Sequence, residues 1–102
     1  DLVFTYEVLI HIAPRDLPKA VAEIYRVSKR YILGMEYYTN KLEKKNYRGH
    51  NDLLWKQDFE KLYMSQFPNL KKVKSKILNW NESIYGISGL QSKIFLLEKR
   101  SQ

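Results

Sequence analysis

Residues 2–37 decide the fold, and they read LVFTYEVLIHIAPRDLPKAVAEIYRVSKRYILGMEY. The run Leu2–Tyr6 is apolar on both faces, as a strand inside a parallel sheet requires. Apolar residues then recur at helical spacing over about Leu17–Lys29, and Asp16 is placed to cap that helix. Tyr31–Tyr37 follows as a second strand. Strand, helix and strand in this order predict a βαβ unit with two parallel strands and a right-handed crossover.

A long polar segment follows the second strand. Residues 38–52 show neither the helical nor the strand period, so they are predicted to form a loop at the carboxyl end of that strand. In open α/β sheets this end is the ligand-binding side. Asp52 is placed to cap a second helix that runs to about Gln66, with Trp55 and Phe59 on its apolar face.

Two further strands complete the predicted sheet. In residues 72–77 lysine alternates with other residues, which predicts a half-exposed strand with its lysines on one face. Such lysines are typical of an edge strand, where their charge discourages pairing with another chain. Ile94–Leu97 is continuously apolar and belongs deeper in the sheet. A loop of about 79–90 joins these strands, so they can pair antiparallel. The predicted fold class is α/β, with the strands in the spatial order first, second, last, third.

The composition predicts a single soluble domain in a reducing compartment. The chain has 102 residues and no cysteine, and its longest apolar runs are far shorter than the roughly 18 residues that cross a bilayer. We therefore expect a cytoplasmic protein that does not enter a membrane. The net charge is +7, but the excess of basic residues is shared between both halves of the chain. Nucleic-acid-binding proteins usually concentrate that charge, so a nucleic-acid partner is not favoured.

Three stretches closely resemble the pseudaminic acid biosynthesis-associated methylases, a family within the class I S-adenosylmethionine-dependent methyltransferases. They are DLVFTYEVLIHI (1–12), DLPKAVAEIYRVSKRYILGMEYY (16–38) and YRGHNDLLWKQDF (47–59). The resemblance implies the C-terminal half of a Rossmann-like methyltransferase sheet, with two parallel strands, a terminal antiparallel pair and helices packed on the sheet. It also implies S-adenosyl-L-methionine as cofactor and a small metabolite, an acidic or nucleotide-linked sugar, as methyl acceptor.

The chain departs from the family at the cofactor site. The family places a Gly-rich turn after its first strand and an acidic residue after its second, whereas the four glycines here include no G-x-G. Residues 1–102 are therefore predicted to be a partial domain, from the fourth strand of the family fold onward, without the N-terminal cofactor-binding half. The isolated chain is expected to be inactive.

The resemblance places candidate residues at the end of the first strand. In the family this end faces the methionine part and the sulfonium of the cofactor, which points to Thr5, Tyr6 and Glu7, although Tyr6 could equally be a packing residue. Glu7, His11 and His50 are the candidate catalytic residues, and the histidines could accept a proton from the methylated group.

A metal site is the alternative use of the same three side chains. The spacing of Glu7 and His11 resembles the E-x-x-E-H element of the small-RNA 2′-O-methyltransferases, but Ile10 stands at the second acidic position and cannot ligate. We therefore predict no metal.

Four residues are candidates for substrate binding. Glu36 and Tyr37 end the second strand, and Tyr47 and Arg48 stand in the loop beyond it. Guanidinium binds carboxylate or phosphate in bidentate fashion and tyrosine faces pack on sugar rings, so this set suits an acidic sugar. The alternative is a solvated loop without a role.

Two further expectations concern partners. The alternative function is a non-enzymatic basic binding module for RNA or another polyanion, which is disfavoured because the lysine face of residues 72–76 contains no aromatic residue. In the family fold the strand at Leu2–Tyr6 is paired on both sides, so in this chain one edge would lack its partner. We expect self-association through that edge.

Overall fold

The computed structural model describes residues 2–39, 42–46, 53–80 and 90–100 of the chain. The helices in these residues are a 3-10 turn (Leu9–His11), α1 (Leu17–Val27) and α2 (Phe59–Gln66). The strands are β1 (Leu2–Tyr6), β2 (Tyr31–Tyr37), β3 (Glu43–Asn46), β4 (Leu53–Lys56), β5 (Leu70–Trp80) and β6 (Leu90–Lys99). None of the helices in the described residues has the length and apolar character needed to cross a bilayer.

Four strands form one mixed sheet in the order β1-β2-β6-β5. β1 and β2 are parallel, and β6 runs antiparallel to both of its neighbours. The predicted strand order and directions are thus confirmed, as is the α/β class. The last strand is interior because its side chains Phe95 and Leu97 are buried, whereas the lysine-rich β5 lies at an edge.

Both helices contribute to one core on a single face of the sheet. Burial alternates along β2, so that Ile32, Gly34 and Glu36 face this core. Phe95 and Leu97 of β6 lie opposite Gly34 and Ile32 and share that face. The core consists of Leu9, Ile10, Leu17, Val21, Ile32, Phe59, Tyr63, Leu70, Phe95 and Leu97.

Gly34 allows the central strands to pack closely. A Cβ at position 34 would lie 2.3 Å from Cζ of Phe95, well inside van der Waals contact. The Phe95 ring in turn packs against Tyr63 of α2, with ring centroids 5.9 Å apart. The missing side chain at position 34 therefore makes room for the ring that links the sheet to α2.

The opposite side of the sheet, which we call the open face, carries no described helix. Leu2, Phe4 and Tyr6 are each 53% exposed, while Thr5 between them is buried. The register places Phe4 in a row with Leu33, Leu96 and Lys74, and Tyr6 in a row with Met35, Ile94 and Lys76. The open face consists of Leu2 and these two rows. It therefore runs from aromatic rings on β1 to lysines on β5.

The first helix begins at Leu17 as predicted, but its capping and its last residue differ from the prediction. The Asp16 side chain makes no capping hydrogen bond, because the backbone of Asp16 is already near helical geometry in a preceding turn closed by Leu17 N–H to Ala13 O at 3.1 Å. Pro18 lies in the first turn, as predicted. The helix ends at Val27 rather than Lys29, because Ser28 is extended.

The prediction for residues 38–66 was wrong in two respects. Residues 43–46 form β3 and pair antiparallel with β4, so this segment is not entirely a loop. The second helix begins at Phe59, capped by Asp58, whose carboxylate accepts the Lys61 N–H at 3.1 Å, and not after Asp52. Trp55 consequently lies in β4 rather than on a helix face. Asp52 itself is outside the described residues.

The prediction that the lysines of β5 share one face is wrong, because the strand contains a bulge. The register shifts between Lys72 and Lys74, so that Val73 is the extra residue and is left 47% exposed. Lys72 pairs with the buried Leu97 and faces the helices, whereas Lys74 pairs with Leu96 on the open face. The predicted connection between the last strands falls largely on residues 81–89, which lie outside the described residues.

Candidate active site

The chain turns sharply where β1 ends. The Glu7 N–H extends the sheet ladder by donating to the Met35 carbonyl oxygen at 2.8 Å, and Glu7 then adopts a φ of 52°. This left-handed conformation costs a residue other than glycine about 1–2 kcal/mol. The chain continues directly into the 3-10 turn, which therefore lies at the carboxyl ends of β1 and β2.

Glu36 of β2 anchors this turn. Its carboxylate accepts hydrogen bonds from the N–H groups of Val8, Leu9 and Ile10 at 3.4, 3.0 and 3.4 Å. These are the N–H groups that have no partner within the start of a helical turn. Burial raises the pKa of Glu36 to about 7, although the nearby Thr5 hydroxyl and the three N–H groups favour the charged form. The carboxylate thus compensates for the unfavourable geometry at Glu7.

The predicted substrate-binding role of Glu36 does not fit its position. Its side chain is only 1% exposed, and its oxygens are occupied by the backbone of the turn. Glu36 is buried because alternate residues of β2 point toward the core, and Glu36 follows Ile32 and Gly34 in that series. In the structure Glu36 holds the turn in position, and its side chain is not accessible to a ligand.

Two buried hydroxyls accompany Glu36. The Thr5 and Tyr63 hydroxyls have no hydrogen bond of good geometry within the described residues. Burial raises the pKa of Tyr63, and the charge of Glu36 raises it further. Buried polar groups are nearly always hydrogen-bonded, so these two hydroxyls are unusual in lacking a well-placed partner beneath the turn in the part of the chain that the structure describes. Thr5, a predicted cofactor-binding residue, is therefore placed beneath the turn rather than on the surface.

The rim of the site is formed by Tyr6, Glu7, Val8 and His11, which flank the buried Leu9 and Ile10. Tyr6 is half-exposed, Glu7 is partly buried and His11 is exposed at the end of the 3-10 turn. The charge of the Glu7 carboxylate and its hydrogen bond raise the pKa of Tyr6. Of the predicted catalytic and cofactor-binding residues, the structure thus brings Tyr6, Glu7 and His11 to one accessible segment.

Tyr37 and Tyr38 lie beside this segment, at the end of β2. Both are partly buried, and Tyr37 lies opposite Ser92 in the sheet. The Lys93 ammonium lies 5.2 Å from the centroid of the Tyr38 ring, a cation–π contact. The tyrosines therefore connect the predicted site to charged residues that the sequence did not single out.

Those residues form an ion cluster of Asp58, Glu60, Lys72 and Lys93. The Lys93 Nζ lies 3.1 Å from both oxygens of Asp58 and 2.8 Å from Glu60 Oε1. Lys72 Nζ lies 3.1 Å from Glu60 Oε2, and Ser75 Oγ donates to Glu60 Oε1 at 2.8 Å. The cluster borders a depression of about 400 Å³.

The cluster favours the charged forms of Glu60 and Lys93, which are partly buried. Burial alone would raise the pKa of Glu60, but the hydrogen bonds from Lys93, Ser75 and Lys72 lower it overall. Burial would lower the pKa of Lys93, but its bonds to Glu60 and Asp58 raise it overall. The cluster thereby joins the beginning of α2 to β5 and β6.

Sequence reasoning missed the cluster, although two signals were available. Asp58 and Glu60 flank the first apolar residue of α2, a pattern typical of a helix start. Lys93 directly precedes the buried apolar run of β6, and a cation there requires a partner. No comparable signal marks Tyr63, whose burial depends on the packing of α2 against Phe95.

Several predictions concern residues outside the described ranges. Tyr47, Arg48 and His50 belong to this group, although β4, which follows them, packs against the 3-10 turn. In the described ranges, no three histidine, aspartate or glutamate side chains are grouped so that they could hold a metal ion.

No protein-family model matches the chain, and no curated protein is significantly similar to it in sequence.

Proposed function

We propose that the chain is the substrate-side half of a class I S-adenosylmethionine-dependent methyltransferase. The proposed acceptor is a small cytoplasmic metabolite, an acidic or nucleotide-linked sugar, as the resemblance to the pseudaminic acid biosynthesis-associated methylases implies. The observation that best supports this proposal is the strand order β1-β2-β6-β5. The last strand is inserted antiparallel between β2 and β5, which is the arrangement expected for the C-terminal half of that fold.

The residues at the end of β1 fit only part of the cofactor. Tyr6 and Glu7 offer an accessible hydroxyl and carboxylate, which suit the amino group and sulfonium of the methionine part. No G-x-G turn is available for the rest of the cofactor, since the four glycines are isolated. The proposal therefore assigns Tyr6 and Glu7 to the methionine end and leaves the adenosine end to a second, glycine-rich half.

When bound, the cofactor supplies an electrophilic methyl group. The hydroxyl or amine of the acceptor would release a proton when it is methylated. His11 is exposed at the rim and is the proposed proton acceptor, with His50 as the second candidate. Glu36 acts indirectly, because its bonds to Val8, Leu9 and Ile10 hold the turn that carries His11.

The proposed acceptor contacts are Tyr37, Tyr47 and Arg48. Tyr37 lies at the carboxyl end of β2, on the side of the sheet where ligands bind in open α/β folds. Arg48 would pair with the carboxylate or phosphate of the acceptor, and the tyrosines would pack against its ring.

Methyl transfer by the full-length polypeptide that carries this chain tests the proposal. Labelled cofactor and nucleotide-linked acidic sugars would be supplied, and label in the sugar would be measured. His11→Ala should lower kcat by about 100-fold without weakening cofactor binding, since one general base contributes about that factor. Lys19→Ala, an exposed change in α1, is the matched control and should leave kcat unchanged. A folded protein that labels no sugar would contradict the proposal.

The open face supports a second candidate function, a non-enzymatic module that binds RNA. Residues 72–76 contain no aromatic residue, but the sheet places Phe4 and Tyr6 of β1 on the same face as Lys74 and Lys76. Rings and cations on one sheet face suit unstacked bases and their phosphates. Fluorescence anisotropy with a single-stranded oligouridylate separates the two candidates. Tight binding that Phe4→Ala weakens tenfold favours the module, and binding unaffected by Phe4→Ala excludes this use of the face.

A further inference from the structure

A basic cleft lies at the end of the sheet opposite the proposed active site. Its volume is about 860 Å³, within the range of small-molecule sites. Five cations, Lys29, Arg30, Lys71, Lys99 and Arg100, line it together with a single carboxylate, Glu98. Arg30 directly precedes β2, whereas the proposed site follows Tyr37, so the two places are about 20 Å apart along the strand.

Two of the cations are fixed by contacts within the protein. The Arg30 guanidinium pairs with Glu98, with Nε and Oε2 2.9 Å apart, and lies 5.1 Å from the centroid of the Tyr31 ring. The Lys99 ammonium donates to the Ser28 carbonyl oxygen at 2.6 Å, at the end of α1. These contacts give the cleft a defined shape, but they use Glu98, the one carboxylate that lines the cleft among the described residues.

The other three cations have no acidic partner in the described part of the chain. Lys29, Lys71 and Arg100 line the cleft, and none of them forms an ion pair there. Like charges held around a concave surface reinforce one another's potential, because the surrounding protein focuses the field. All three side chains are exposed, so an anion that enters between them would meet their combined field.

We propose that this cleft binds the phosphate chain of a small di- or triphosphate. Several phosphates in a row match three unpaired cations better than one carboxylate or one phosphate does, since each phosphate brings its own negative charge. Arg100 offers the planar donors that phosphate prefers, and the two lysines add mobile point charges.

The cleft recognises the phosphates and not a nucleoside base. Tyr25 is the aromatic residue that lines it, and its ring is stacked on Phe67 at 3.8 Å between centroids. The Lys99 ammonium lies over the ring at 4.1 Å, which occupies the second face. The Tyr25 hydroxyl accepts the side-chain N–H of Asn69 at 2.5 Å, so the ring is held in place. Neither face of the Tyr25 ring, the one aromatic ring that lines the cleft in the described residues, is left for a base to stack on.

Calorimetric titration of the 102-residue chain with inorganic tripolyphosphate at low salt tests the proposal. A variant with Lys29→Ala, Lys71→Ala and Arg100→Ala should bind at least tenfold more weakly. The matched control carries Arg15→Ala, Lys19→Ala and Lys61→Ala, which remove the same charge at exposed positions away from the cleft and from the open face. The control should bind within about twofold of the unmodified chain. Circular dichroism shows whether each variant is folded.

Two further ligands complete the test. A nucleoside triphosphate should bind within about threefold of tripolyphosphate, and single phosphate should bind at least tenfold more weakly. Equal weakening in the cleft variant and the control would show a diffuse charge effect and overturn the proposal. Binding of a nucleoside triphosphate or a single-stranded oligonucleotide more than tenfold tighter than tripolyphosphate would also overturn it, because a base would then be recognised.

Discussion

At the scale of single residues, Glu36 connects the sheet to the proposed active site. It is a carboxylate within an otherwise apolar strand, and three backbone N–H groups surround it. Burial raises its pKa from the usual 4.5 to about 7, so its charge depends on pH in the physiological range. The conformation of the turn that carries His11 therefore depends on the protonation state of Glu36.

The first prediction concerns the pH dependence of stability. Between pH 4.5 and 7 the native state holds a proton on Glu36 that the unfolded state has lost, so the free energy of unfolding should rise as the pH falls through this window. The rise due to Glu36 is about 3 kcal/mol at most. Glu36→Gln mimics the protonated form and should abolish it. Urea denaturation at several pH values measures the effect.

Glu23→Gln serves as the control, because Glu23 is exposed and its pKa is lowered rather than raised. This variant should keep the rise in stability between pH 7 and 4.5. A Glu36→Gln protein with the same pH dependence as the unmodified chain would show that Glu36 does not titrate in this window.

The sequence predicted the location of the rim residues better than their roles. Thr5, Tyr6, Glu7 and Glu36 do lie at the ends of β1 and β2, because the βαβ pattern fixes which ends meet. Whether each side chain faces the core or the surface depends on the register of β2 with β6, and that pairing joins residues far apart in sequence. The sequence therefore predicted the correct end of β2 for Glu36, but it wrongly predicted that the side chain is exposed.

Among the secondary-structure elements, the ion cluster links the start of α2 to strands β5 and β6. Glu60 is 2% exposed and Lys93 is 14% exposed at their side chains, so each depends on the other for charge compensation. Lys93→Met should lower the free energy of unfolding by about 3 kcal/mol, because Asp58 loses its cation and Glu60 keeps only the exposed Lys72. Chemical denaturation measures this change.

Lys76→Met, on the exposed part of β5, is the matched control for this variant. It should change stability by less than about 0.5 kcal/mol. Combining Lys93→Met with Glu60→Gln should recover part of the loss, since the buried carboxylate then needs no cation. Equal effects of the two methionine variants would contradict the importance assigned to the cluster.

Some of these elements could be predicted from the sequence and others could not. The strands β1, β2 and β6 were predicted because long apolar runs leave few alternatives. The start of α2 was not, because Asp52 and Asp58 are both suitable caps and the choice depends on the pairing of β4 with β3. The bulge in β5 also has no local signal, since the lysines alternate as in a regular strand.

In the whole molecule, β1 is an edge strand of the four-stranded sheet. In the described residues β1 pairs only with β2, and its other edge presents backbone groups beside Leu2, Phe4 and Tyr6. Glu7 donates its N–H toward β2, so along an extended strand the N–H groups of alternate residues, including Phe4, point outward. Such an edge is prone to add a strand from another chain.

We therefore predict that the isolated chain self-associates through β1, in a concentration-dependent way that sedimentation velocity can measure. Phe4→Pro removes an outward N–H and should weaken the association, because proline cannot donate to a ladder. Phe4→Ala controls for the loss of the ring and should weaken it less. A chain that remains monomeric at high concentration would contradict both the open edge and the half-domain proposal that predicts it.

If this chain is one half of a methyltransferase, as we propose, it should bind the cofactor only together with its other half. Calorimetric titration with S-adenosylmethionine would compare the 102-residue chain with the full-length polypeptide that carries it. We predict weak or no binding to the 102-residue chain, because it has no G-x-G turn. The full-length polypeptide should bind at ordinary cofactor affinity. Tight binding to the 102-residue chain, or no binding to the folded full-length polypeptide, would contradict the account.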